Sequence, residues 1–206
     1  YKGGLTVMRI QPDGLATEGH WANGMSQSAG ISPPLVVAVV GILASMLLPA
    51  LAKAKARANA IKTVSNAKQV AGGLLAYARD NGDTLPPAEK WCDLILLEVG
   101  SRLVYTSAQD PAAVEQARAG VKFSSFAIND AVAGKSLDNI APNTVLIFEC
   151  PLDWNGSGGL ADIQRLRNQR ESYSQLNVIA VTMVDGSSRQ VRFLELERLN
   201  WTGRKR

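Results

Sequence analysis

Residues 33–52 read PPLVVAVVGILASMLLPALA, and the chain continues KAKARANAIKTVSNAKQVAGGLLAYARDNGD. This junction constrains the fold more than anything else in the chain. A helix that is apolar on every face has no side to give to water, so it must be wholly buried or lie in lipid. The segment after it is one-sided. Ile61, Val64, Ala67, Ala71, Leu74, Leu75 and Ala78 recur at spacings of three and four, while Lys55, Lys62 and Gln69 fall outside that stripe. The pattern predicts one continuous helix from Pro33 to about Arg79, a membrane span running into an amphipathic stalk.

Local chemistry agrees with those ends. Ser32 can cap the first N–H groups, and Pro33 suits the first helical position, where its missing donor costs nothing. Leu35 to Ala52 is 18 residues. As a helix that is about 27 Å, close to a hydrocarbon core of about 30 Å. A signal peptide carries its cations before the apolar run, and here they follow it. The residues expected to span the membrane and pack against neighbouring helices are Leu35, Val36, Val37, Val39, Val40, Gly41, Ile42, Leu43, Ala44, Leu47, Leu48 and Pro49. Gly41, Ala44 and Ser45 are small enough for close helix approach. Pro49 should bend the helix, Gly72-Gly73 should weaken it, and Asp80-Asn81-Gly82-Asp83 should stop it.

Charge follows the same division. No acidic residue lies between Glu18 and Asp80, whereas Lys53, Lys55, Arg57, Lys62, Lys68 and Arg79 do. The rest of the chain holds 16 basic and 18 acidic residues, so the net +4 reflects the stalk and not a general nucleic-acid surface. A basic face beside a membrane is drawn to anionic head groups. With cations after the span, the positive-inside rule points to a cytoplasmic C-terminal side.

Three regions result: a polar segment 1–31, a transmembrane and stalk helix 32–80, and a globular part 81–206. In the first, LTVMRI, QPDG and LATEGHWANG read as two short strands around a turn, either free-standing or the tail of an upstream domain, and SQSAG reads as a linker. In the third, helices are expected over residues 91–98 and from Asp110-Pro111 to about Ala119, and a helix or loop over 159–170. Strands are expected over 121–128, 144–150, 176–184 and 189–196, the last two joined by the turn dipeptide Asp185-Gly186. The expected fold is α+β: a long N-terminal helix packed on an antiparallel sheet, preceded by a hairpin-like segment.

Catalytic and metal motifs are weak. His20 is the only histidine and lies far upstream, which disfavours a Ser-His-Asp triad or a zinc site. Gly156-Ser157-Gly158-Gly159 lacks the lysine of a phosphate loop. Asp80 and Asp83 read as a solvated helix stop, since calcium needs 6–8 oxygens. Trp21, Trp91, Trp154 and Trp201 read as core or edge aromatics. Cys92 and Cys150 would join in a disulfide if the globular part lies in an oxidising compartment, or stay as two buried thiols. No enzymatic activity, cofactor or metal is expected.

The stretch from Leu35 to Pro87 resembles the N-terminal helix of type IV pilin-like proteins, and most closely type II secretion pseudopilins of the kind found in planctomycete and verrucomicrobial bacteria. The resemblance lies in Gly41-Ile42-Leu43-Ala44, Leu47-Leu48-Pro49-Ala50-Leu51, the Lys/Ala/Arg run, Asn66-x-Lys68-Gln69 and Tyr77-Ala78-x-Asp80-Asn81. A looser, collinear match continues through Lys90-Trp91-Cys92-Asp93, Ser125-Phe126-Ala127-Ile128-Asn129, residues 144–149, Trp154-Asn155 and Val184-Asp185-Gly186, where Ser187 stands in place of the branch's usual histidine.

The resemblance implies a pilin-like fold and a structural role. Such proteins enter the bacterial inner membrane by a single span, are trimmed and methylated by a prepilin peptidase, and stack their helices into a short filament beneath a secretion channel. The implied partners are the lipid bilayer, other pilin-like subunits and secretion-machinery proteins, without nucleic acid. The globular domain is implied to be periplasmic. The processing motif departs from the family's. Counting back from Gly41 and Pro49 puts the cleavage-site glycine at Gln27, the following phenylalanine at Ser28 and the register-setting glutamate at Ser32, and Pro33-Pro34 replace apolar residues. The alternative is a membrane-anchored binding or sensor protein that uses a pilin-like helix as a plain anchor, without processing or filament formation.

Overall fold

A computed structural model describes the backbone of residues 6–11, 14–20, 26–30, 33–169 and 177–205, and the side chains of 45, 47–168 and 177–205. The chain forms two compact units, Tyr1–Lys55 and Ala56–Arg206.

The first unit contains a three-stranded antiparallel sheet in the order β1-β2-β3: β1 Thr6–Gln11, β2 Gly14–His20 and β3 Ser26–Gly30. The expected hairpin pairs Gln11 with Gly14 and Thr6 with Gly19. The expected linker SQSAG is instead β3, pairing Ala16 with Gly30 and His20 with Ser26. A two-stranded hairpin is marginal by itself, and a third strand satisfies the other edge of β2.

Helix α1 is Pro33–Asp80, with Pro49 inside it. Its expected cap, Ser32, lies outside the described residues. Asn81 ends it: the Asn81 Nδ2 donates to the Tyr77 carbonyl at 2.8 Å, and Gly82 and Asp83 follow at φ 64° and 55°. This left-handed pair is where the chain leaves the helical path.

The second unit is α+β. Its sheet has the order β6-β4-β5-β7-β8: β4 Phe126–Asn129, β5 Val145–Glu149, β6 Ser157–Gly158, β7 Val178–Met183 and β8 Ser188–Arg192. It is mixed and not purely antiparallel, because β6 runs parallel to β4, with Ile128 opposite Ser157. The loop that returns to β6 is held by Trp91 Nε1, which donates to the Gly156 carbonyl at 3.0 Å. Asp185-Gly186 forms the β7–β8 turn, with Gly186 at φ 82°.

Every residue of β4 and β5 is buried, so these central strands are covered on both faces. One face carries Phe126, Ile128, Leu146, Ile147 and Ala180 against Ala67, Val70, Ala71, Leu74 and Ala78 of α1. The other carries Ala127, Val145, Phe148, Ile179, Val181 and Val191 against Ile163 and Leu166 of α5 (Leu160–Gln169) and Phe193 and Leu196 of the 3-10 turn Phe193–Arg198. Alternate residues face opposite layers. The exception is Leu146 and Ile147, which share one layer at the register shift between Val145 and Ile147.

Short elements complete the unit. Residues 91–98 form not one helix but two single turns, α2 Trp91–Leu94 and α3 Leu96–Val99. The next, α4, is Pro111–Arg118, capped as expected by Asp110, whose carboxylate accepts the Ala113 N–H at 3.1 Å.

Candidate functional site

The sequence places function on α1, and the structure divides that helix by environment. The side chains of Leu35, Val36, Val37, Val39, Val40, Gly41, Ile42, Leu43 and Ala44 lie outside the described residues. Leu47, Leu48 and Leu51 are 66%, 65% and 66% exposed, and Pro49 is exposed too. Among the described residues, no helix is long and apolar enough to cross a membrane; most side chains of the expected span lie outside them. Lys53, Lys55, Arg57, Lys62, Lys68 and Arg79 are exposed, and none is in an ion pair among the described residues.

The docked half begins at Thr63. From the expected stripe, Ala67, Ala71, Leu74 and Ala78 are buried and Val64 and Leu75 are half-buried. Ile61 is 72% exposed and does not belong to it. In the turn that leads up to Ala67, the helix contacts are polar. The Thr63 hydroxyl donates to the Asn59 carbonyl at 2.9 Å and accepts the Ala108 N–H at 3.0 Å. Asn66 Nδ2 donates to the Thr106 carbonyl at 2.8 Å. These bonds fix the start of the docked half to the loop 106–108. Apolar periodicity does not mark Thr63, and it gives Asn66 no role.

Behind this clamp lies Glu149, the last residue of β5 and 3% exposed. Its carboxylate accepts the Ser107 hydroxyl at 2.6 Å and the Ala180 N–H at 2.9 Å. Burial raises its pKa above the ordinary carboxylate range, and the bonds from Ser107 and Ala180 oppose that. The Ser107 hydroxyl in turn lies 3.3 Å from that of Thr63. Sheet and helix are thus linked through the loop, where Ser107 donates to Glu149 and the next residue, Ala108, donates to Thr63.

A second lock lies at Asp93. Its carboxylate accepts Lys122 Nζ at 2.8 Å, Trp154 Nε1 at 2.9 Å and Asn155 Nδ2 at 2.8 Å. The Lys122 bond chiefly, then those from Asn155 and Trp154, holds its pKa down to about 2. Asn155, at φ 60°, turns its Oδ1 to the backbone N–H of Cys92 at 2.8 Å. The Tyr105 hydroxyl donates to the Cys92 carbonyl at 3.2 Å, and the Tyr105 ring sits 5.0 Å from that of Trp154. The motifs Trp91-Cys92-Asp93 and Trp154-Asn155, far apart in the chain, meet here.

Cys92 and Cys150 are not joined by a disulfide. Cys92 lies in the core layer shared with α1 and Cys150 in the layer beneath α5, on opposite faces of the sheet. Burial pushes the Cys92 thiol far above its ordinary pKa. Among the described residues, no three His, Cys, Asp or Glu side chains could hold a metal ion together. The chain matches no family model, no curated protein and no solved structure.

Proposed function

We propose that this protein is a pseudopilin-like structural component of a type II secretion or type IV pilus-like assembly. In this reading it is held by a single span in a bacterial inner membrane, with its globular unit in the periplasm. The first part of α1 contacts the lipid bilayer and the helices of other pilin-like subunits, and secretion-machinery proteins are further partners. The role needs no cofactor, nucleic acid or catalytic group.

The supporting observation is the division of one helix. Its docked part, from Thr63 to Ala78, is tied to the sheet, while Leu47, Leu48, Leu51 and Ile61 are left to the surroundings. An exposed run of leucines followed by cations with no ion-pair partner among the described residues suits a helix that passes from lipid to water.

A second reading has its own support. Gln27 and Ser28, where peptidase cleavage would fall, lie within β3, paired with Gly19 and Glu18. A site inside a paired strand is poorly open to a protease. This favours an unprocessed, membrane-anchored binding or sensor protein.

Two measurements test these readings. Leu43→Lys should remove the protein from the membrane pellet, since a lysine at a span centre costs about 2.5–3.5 kcal/mol. Wild-type recovery of that variant in the pellet would refute the anchor common to both. Mass spectrometry of the native N-terminus separates them: a methylated terminus near Ser28 supports the pseudopilin, and retention of residues 1–27 supports the plain anchor.

A further inference from the structure

Strand β8 is an edge of the five-stranded sheet. It pairs with β7 from Val178↔Arg192 to Thr182↔Ser188; on the other side the Arg192 N–H is turned to the Glu195 carboxylate, and among the described residues the backbone of Ser188 and Gln190 makes no bond there. Two adjoining depressions, of about 360 Å³ and 320 Å³, are both lined by Arg189, Arg198 and Leu199. They form one trough along the strand. Its walls follow from the chain path: β8 runs directly into the 3-10 turn Phe193–Arg198, which brings Arg198 back beside Arg189.

Both guanidinium groups are exposed, and neither is in an ion pair among the described residues. The acidic groups of the trough are engaged elsewhere. Asp185 accepts the Ser187 N–H within its own turn at 2.8 Å. Glu195 is held by Arg192, with Arg198 adding a weaker attraction.

A bare strand edge is a template for another strand. A second copy of β8 is a poor occupant. Antiparallel self-pairing centred on Gln190 puts Arg192 against Ser188 and Arg189 against Val191, and a register centred on Arg189 sets that arginine directly against its own copy. Either way, four arginines share a short ladder, and like charges across a ladder repel. An acidic strand meets the opposite situation: main-chain bonds supply affinity, and guanidinium–carboxylate pairs supply register and selectivity. We infer that the β8 edge docks an extended acidic segment of a partner protein, added as a sixth strand with its carboxylates on Arg189 and Arg198. This inference does not rest on the membrane role.

The probe is a fluorescent, end-capped heptapeptide of alternating Glu and Val, titrated by anisotropy against the full chain in a neutral detergent. It should bind, and more weakly as salt rises. A Lys-Val peptide should not bind. The double variant R189E/R198E, and the same peptide N-methylated at alternate amides, should each lose at least tenfold in affinity. R118E, an exposed arginine on α4, should bind as the wild type does. Because both trough arginines are exposed, circular dichroism should show an unchanged fold, and R189Q/R198Q gives the same readout should the reversal unfold the protein. Failure of the acidic peptide to bind overturns the inference, as does undiminished binding by R189E/R198E or by the N-methylated peptide. A chain dimer that the probe dissociates would assign the edge to a second copy and overturn it too.

Discussion

Asp93 gathers donors from 29, 61 and 62 residues away, and this makes it the most consequential exposed acid in the globular unit. Its side chain is 40% exposed, so solvent screens part of the attraction to Lys122. Asp93→Asn should cost about 1 kcal/mol, measured by urea denaturation. Because its folded pKa of about 2 lies below the unfolded 3.8, its contribution is complete above the unfolded value and disappears as pH falls through the folded one. The variant's melting temperature should therefore fall less steeply than the wild type's as pH drops from 4 to 2. Glu149 has the opposite sign. Burial raises its folded pKa, so the folded state holds the proton more tightly and stability declines as pH rises from the unfolded carboxylate value through the folded one. In Glu149→Gln the amide can still accept the Ala180 N–H and donate to Ser107, so that part of the decline should vanish from a series of melting curves. Neither lock was readable beforehand. The sequence shows a Trp-Cys-Asp and a Trp-Asn, but nothing in it sets those two segments in contact.

At the scale of elements, the two glycines of α1 behave differently. A Cβ on Gly72 meets nothing within 4 Å, whereas one on Gly73 falls 2.8 Å from Val99 Cγ2 and 3.5 Å from Ile95 Cδ1. Gly72 is a plain helix weakness, and Gly73 is what lets α3 approach α1. Gly72→Ala should stabilise by about 0.5–1 kcal/mol, and Gly73→Leu should destabilise by about 1–3 kcal/mol through overpacking, both read by thermal denaturation. The sequence exposed α1 well, because its periodicity persists over many turns and Asn81-Gly82 punctuates its end. It also exposed the Asp110 cap and the β7–β8 turn. It hid β3, since SQSAG has no apolar alternation, and β6, whose two residues, Ser157 and Gly158, are too few to show a pattern. The parallel pairing of β6 could not be foreseen either, since it follows from a loop shaped by Asp153 and Asn155 at positive φ.

For the molecule as a whole, the unit Ala56–Arg206 contains both the docked half of α1 and the sheet it covers. A fragment starting at Ala56 should unfold cooperatively. One starting at Asn81 should not, because it bares Phe126, Ile128 and Leu146, and bound dye or an absent melting transition would report this. The α+β class was readable from the order of patterns, and the two-sided burial of β4 and β5 was not, since it depends on which elements cover each face. The sheet is also tied to residues 201–203: Asn129 Nδ2 donates to the Trp201 carbonyl at 3.1 Å, and the Ala141 N–H to that of Gly203 at 3.1 Å. Those residues are made after every strand of the sheet. At roughly 5–20 residues per second, about 6–25 s separate the synthesis of Asp80 from that of Gly203. During that interval α1 exists without a finished surface to dock on. The order of synthesis therefore leaves the helix open to any other partner first and to its own sheet second.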